Sequence, residues 1–103
     1  MTTFGSSQDL ASSNVTTETK TVQSGRTRVY GLHYAGTATA GVIELKDGGS
    51  GGTSKIKINK PAAAGSENIV FPAPILFKTD VYSSFTTEQV TAITVYHSGG
   101  NNI

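Results

Sequence analysis

Between residues 42 and 59 the chain alternates, bends through glycine and alternates again: VIELKDGGSGGTSKIKIN. In an extended chain successive side chains point to opposite faces, so Ile43 and Leu45 share one side of the first arm, and Ile56 and Ile58 share one side of the second. Placing Ser50 and Gly51 at the centre of a two-residue turn sets Gly49 against Gly52, Asp47 against Ser54, Leu45 against Ile56 and Ile43 against Ile58. The same register sets Glu44 against Lys57 on the other face, an opposite-charge cross-strand pair. Lys46 against Lys55 is its one blemish. Glycine supplies the positive φ that tight hairpin turns require. A tip built of Gly48, Gly49, Ser50, Gly51 and Gly52 can also lie close against another protein, which makes it a candidate contact surface.

Two other readings of the glycines fail on chemistry. A phosphate loop needs a lysine just before a hydroxyl residue and a helix behind it. Here Lys55 follows Thr53 and Ser54, and a strand pattern comes next. A calcium loop needs oxygen ligands at alternate positions, and Asp47 is the one acidic residue in the bend.

Alternation recurs from Arg26 onward. In RTRVYGLHYAG, Tyr30, Leu32 and Tyr34 fall on one face, with Val29, Gly31 and His33 on the other. NIVFP and ILFK are short apolar runs that suit strands buried on both sides, and DVYSSF and VTAITVYH complete the set. ILFKTDVYSSF reads as one bent strand or two. Pro61, Pro72 and Pro74 stand at the ends of runs, where a missing donor does least harm. TTEQVTAI supports at most one helical turn before the last strand. Six to eight short strands with frequent turn signals predict an all-β fold, a small antiparallel β-sandwich (jelly-roll-like) or a small barrel. The expected core is Tyr30, Leu32, Ile43, Leu45, Ile56, Ile58, Val70, Phe77, Val81, Phe85, Ile93 and Val95.

Residues 1–25 are different. Ser, Thr, Gln and Asn dominate, and Phe4, Leu10, Val15 and Val22 stand isolated. Such a segment buries too little apolar surface to offset chain entropy. It is expected to be an extended N-terminal arm on a sandwich domain of residues 26–103. Phe4, Leu10 and Val22 would fill pockets on a neighbour, and Val15 would join them in partner binding at the start of a possible edge strand over residues 15–22. The weak alternation of TTETKTVQ would let Thr19 and Thr21 pair as an edge strand, in the chain's own sheet or in another subunit's.

Charge narrows the partners. The chain of 103 residues has eight Lys and Arg against seven Asp and Glu, a net charge of +1. That gives no basic face for nucleic acid and no cluster for an anionic membrane. No cysteine is present, so neither a disulfide nor a thiolate zinc site can form. No apolar run approaches the ~20 residues of a membrane span. The first residues show neither the basic nor the apolar region of a secretory signal, so synthesis and retention in a cytoplasm, or release from one by lysis, is expected.

Nothing in the sequence assembles into an active site. His33 and His97 have no acidic cluster beside them, no nucleophile elbow occurs, and Glu44 has Lys57 to hand. No enzyme activity, cofactor or metal is expected. Tyr30, Tyr34, Tyr82 and Tyr96 could offer stacking surfaces for a sugar or a base, although alternating aromatics in strands also serve as core.

RTRVYGLHYAGTATAGVIELKDGGSGG, ILFKTDVYSSFT and TAITVYHSG together resemble a group of small virion proteins of tailed bacteriophages, marine and cyanobacterial ones especially. The shared pattern is a strand ending at Lys46–Ser50, a hairpin return, the stretch Phe77–Tyr82 and the closing Thr91–Tyr96. It spans residues 26–98, and the arm lies outside it. The resemblance implies a structural protein of the particle, made in the host cytoplasm and located in the virion. Its partners would be the major capsid protein or other virion proteins and neighbouring copies of itself, as a capsid decoration or cement subunit. The alternatives are a neck, tail or fibre-attachment component, or an outward-facing glycan-binding module. No catalytic residue carries over.

Overall fold

The computed structural model describes residues 10–99. They form eight strands: β1 (Ala11–Val15), β2 (Thr19–Ser24), β3 (Thr27–Gly36), β4 (Gly41–Asp47), β5 (Thr53–Lys60), β6 (Gly65–Phe77), β7 (Asp80–Ser84) and β8 (Val90–Gly99). β1 pairs with β8, β2 with β7, β3 with β6 and β4 with β5, all antiparallel. These pairs make one long ribbon whose turned end is the β4–β5 hairpin. The ribbon is rolled so that β3 also meets β8 and β4 also meets β7. Two four-stranded sheets result, in the orders β1-β8-β3-β6 and β2-β7-β4-β5. That is the strand order of a jelly roll, the sandwich expected from the alternation.

The core lies between the sheets. Ile43 and Leu45 of β4, Val81 of β7, and Ile93 and Val95 of β8 are buried, and Phe77 closes the end of β6. The β4–β5 register holds from Ile43↔Ile58 through Glu44↔Lys57 to Leu45↔Ile56. Beyond that it departs from expectation. A bulge makes Lys46 face Ser54 and Asp47 face Thr53, leaving Lys55 unpaired. One extra residue in one strand thus separates the two lysines that an unbroken register would oppose.

A second bulge corrects the faces of β3. Val29 and Thr27 are buried, and so are Leu32 and Tyr34, while Tyr30 is half-buried. Both of β3's partners shift register between Val29 and Gly31, so the inward side changes from odd to even positions at Tyr30. On β6 the same irregularity spans residues 71–74, because Val29 faces Ile75 and Gly31 faces Val70. The runs NIVFP and ILFK are therefore one strand with a proline-bearing bulge on a sheet edge, where absent N–H donors cost least. Val70, expected in the core, is 69% exposed, and Ile58 is only half-buried. ILFKTDVYSSF proves to be two strands, and one turn closed by Thr86 precedes β8.

The expected arm is corrected over residues 11–24. β1 and β2 are edge strands of the two sheets, Val15 is buried in the core, and Val22 packs against it. An edge strand contributes one row of inward side chains, so a segment too polar to form a core can still complete one. The boundary after residue 25 therefore falls inside the sandwich, and residues 1–9 of the expected arm lie outside the described residues.

Candidate functional site

Antiparallel order places the loops 16–18, 37–40, 61–64 and 85–89 at one end of the sandwich. The loops 25–26, 48–52 and 78–79 lie at the other. The hairpin tip belongs to the second end. Gly52 N–H donates to the Gly49 carbonyl at 3.0 Å, so Ser50 and Gly51 are the central turn residues as expected. The paired strands stop at Asp47 and resume at Thr53, however, so this turn sits inside a loop of residues 48–52 and does not join the strands directly. The positive φ values fall two residues earlier, at Gly48 (106°) and Gly49 (79°). They bring the backbone N–H groups of Gly48 and Gly49 onto Asp80 Oδ1, at 2.9 and 3.1 Å. Asp47 reciprocates: its carboxylate accepts from the N–H groups of Lys78, Thr79 and Asp80 at 2.8, 2.8 and 3.3 Å. Burial pushes the Asp47 carboxyl up, but these three donors and nearby Lys55 outweigh it and hold the pKa below the ordinary value. The tip is tied to the neighbouring turn.

The opposite end is organised by Lys60, which ends β5 and is 3% exposed. Its Nζ donates to the carbonyls of Thr37, Thr39 and Pro61 at 2.5, 2.7 and 2.7 Å, with Ala63 at 3.4 Å. An ammonium has three protons, and three close carbonyls use them. Its stem runs against Gly36, where an added Cβ would collide with the Lys60 Cε. Ile56, Ile58 and Lys60 share one parity of β5, so the alternation itself points Lys60 inward. Beside it a cleft of about 270 Å³ is lined by Tyr34, Pro61, Ala63, Ala64, Gly65, Ser66 and Glu67. Tyr34 donates to Glu67 Oε1 at 2.9 Å, and burial together with that carboxylate raises the tyrosine's pKa.

The residues expected to bind a partner are dispersed. Val15 and Val22 serve the chain's own core. Thr19 and Thr21 are exposed but pair with Ser84 and Tyr82 of β7, inside their own sheet. Leu10 is 52% exposed just before β1, and Phe4 lies outside the described residues.

The four sheet edges differ in how they treat a neighbour. Exposed main-chain groups on an edge invite strand addition, and lysine, proline or a bulge discourages it. β2 carries exposed Lys20 and a bulge, and β5 carries exposed Lys55 and Lys57. β6 carries Pro72 and Pro74 in its bulge. β1, with the sequence ASSNV, carries none of these, and among the described residues its outer side has no paired strand.

The tyrosines separate. Tyr34 is in the core, Tyr82 is half-buried on β7, and Tyr30 and Tyr96 lie on the outer face of the β1-β8-β3-β6 sheet. The histidines separate too. His33 is half-buried on that outer face, and His97 is buried beneath it. Ser13 Oγ lies 2.9 Å from His97 Nε2, while the buried Nδ1 has no partner. Among the described residues no group of three or more His, Asp or Glu could hold a metal ion. Comparison with protein-family models, curated proteins and solved structures found no match.

Proposed function

We propose that this chain is a non-enzymatic structural protein of a tailed-bacteriophage virion, a capsid decoration or cement subunit that joins neighbouring chains by strand addition at β1. The observation that carries this reading is the contrast among the edges: three are guarded and β1 is not. A strand added there would be held by main-chain hydrogen bonds, with side chains of the partner reading the pockets beside them. The resemblance over residues 26–98 supplies the particle, and eight-stranded jelly rolls recur in viral capsids as well as in lectins.

The test is retention on purified particles depleted of the chain, followed by its location in a density map of the reconstituted particle. Lysines placed along the open edge by Ser12→Lys with Asn14→Lys should abolish retention, and Asn59→Lys on the guarded β5 edge should not. Retention of the unaltered chain should change little as salt rises to about 1 M, where the screening length is ~3 Å. Steep loss with salt would instead indicate docking led by charge through Arg26, Arg28 and exposed lysines. Equal retention of both variants would remove the β1 assignment.

A further inference from the structure

The geometry points to a binding platform for a neutral saccharide on the outer face of the β1-β8-β3-β6 sheet, floored by the Tyr96 ring. Tyr96 stands on β8, yet its hydroxyl donates to Asn68 Oδ1 on β6 at 2.9 Å. β3 lies between those strands. Two inter-strand spacings make roughly 9–10 Å, so the side chain must lie down across β3 to reach. The β3 residue opposite Tyr96 is Gly31, which has no side chain to prop the ring away from the sheet. Tyr96 is half-buried, as suits a ring with one face on the sheet and the other toward solvent. Its hydroxyl tether fixes the ring before any ligand arrives, so little rotamer entropy remains to be lost on binding.

The surroundings select the ligand. His33 faces both Asn68 and Thr94 across the strands, and all three side chains are at least partly exposed on this face. Asn14 donates to Thr94 Oγ1 at 3.1 Å, extending the polar border. Exposed Val70, opposite Gly31, adds an apolar wall. The face thus combines an aromatic floor with imidazole, amide and hydroxyl groups. A pyranose presents that complement: apolar C–H groups to lie on the electron-rich ring face, and a rim of hydroxyls to exchange hydrogen bonds. Arg28 is the one cationic side chain on these outward positions, at the far end of β3. A single-stranded nucleic acid would need a cationic track for its phosphates, which one arginine does not make. The site goes beyond the assembly reading and is compatible with it, because a strand added at β1 extends the sheet sideways and leaves β8, β3 and β6 uncovered.

The experiment is a titration of the isotope-labelled full chain, followed by amide chemical shifts, with maltohexaose, cellohexaose, N-acetylchitohexaose and oligo(dT). At least one of the three saccharides should give saturable shifts centred on Gly31, His33, Asn68, Thr94 and Tyr96. Tyr96→Ala should weaken that binding about tenfold or more, the cost of losing a stacking ring. Tyr96→Phe and Asn68→Ala keep the ring and cut its tether, and each should weaken it less. Tyr82→Ala, on the other sheet, should leave it unchanged. Absence of saturable shifts with all three saccharides overturns the proposal. So does equal loss in Tyr96→Ala and Tyr82→Ala, or oligo(dT) binding at this face in place of the saccharides.

Discussion

Asp47 and Asp80 cap each other's turns. The Asp47 carboxylate holds three backbone N–H groups of residues 78–80, and Asp80 Oδ1 holds those of Gly48 and Gly49. Each aspartate thereby satisfies donors that its neighbour's loop would otherwise leave to water. Asp47→Ala should lower stability by about 1.5–3 kcal/mol, the range for hydrogen bonds to a charged group. Asp80→Ala should cost less, having two donors to lose. In a double-mutant cycle the two changes should be less than additive, because either one loosens both turns. The sign of the pH effect follows from the depressed Asp47 pKa: its contribution is present above the unfolded value near 3.8 and is lost as pH falls through the lower folded value. Urea unfolding of the variants at neutral and acid pH measures both, and fully additive losses would show that the two turns are independent.

That pairing lies beyond the reach of alternation, because the partners are separated by 33 positions and belong to different turns. Elsewhere alternation reads the fold well. It gives the Ile43↔Ile58 and Leu45↔Ile56 pairs and the inward side of β4, because a one-residue slip would turn every aliphatic outward. It fails at Tyr30 and Lys55, where a bulge inserts a residue and local pattern carries no mark of it. It fails for residues 11–24 because an edge strand needs few apolar side chains: Val15 is the one fully buried side chain of β1 and β2. Of the candidate sites, the hairpin tip and the tyrosines were visible as residue types. The flat placement of Tyr96 depends on the order β8-β3-β6, which no local stretch encodes.

Because β1 and β2 belong to the sandwich, a chain beginning at Arg26 should fail to fold. It would lose the β1–β8 and β2–β7 pairings and open the core at Val15. Amide dispersion or thermal unfolding of the truncated chain decides the point, and a cooperative transition like that of the full chain would restore the boundary at residue 25.

Leu45→Ala should cost roughly 2–5 kcal/mol, as for other large-to-small changes in a packed interior. Val70→Thr should stay within about 0.5 kcal/mol, since an exposed side chain has little packing to lose. The contrast tests the inward and outward assignments of β4 and β6 in one denaturation series.

Lys60 and Gly36 should behave as a coupled pair. Lys60→Met leaves the carbonyls of Thr37, Thr39 and Pro61 without their donor, at a cost of about 1–3 kcal/mol for a buried unsatisfied group. Gly36→Ala should be damaging alone, because the lysine it strikes is pinned at its far end and cannot swing aside. With Lys60→Ala in place, the same Gly36→Ala change should become nearly neutral. Additive losses would mean that Gly36 is needed for another reason.

His97 should make the fold sensitive to mild acid. Burial disfavours its charged form, so its folded pKa lies below the unfolded value of 6.5. Below about 6.5 the unfolded chain takes up a proton that the folded chain resists, and stability falls with pH until the folded value is passed. Once protonated, both ring nitrogens are donors. Nε2–H can still reach Ser13, but the buried Nδ1–H has nothing to accept it. The strain falls on the β1–β8 pairing, where Ala11 faces His97 and Ser13 supplies the hydrogen bond. The urea midpoint should therefore drop between pH 7 and pH 5, and amide exchange in β1 should rise first. His97→Gln should be less stable than the parent at pH 7 yet flat across the same interval. A variant that keeps the parent's slope would place the titration on another group.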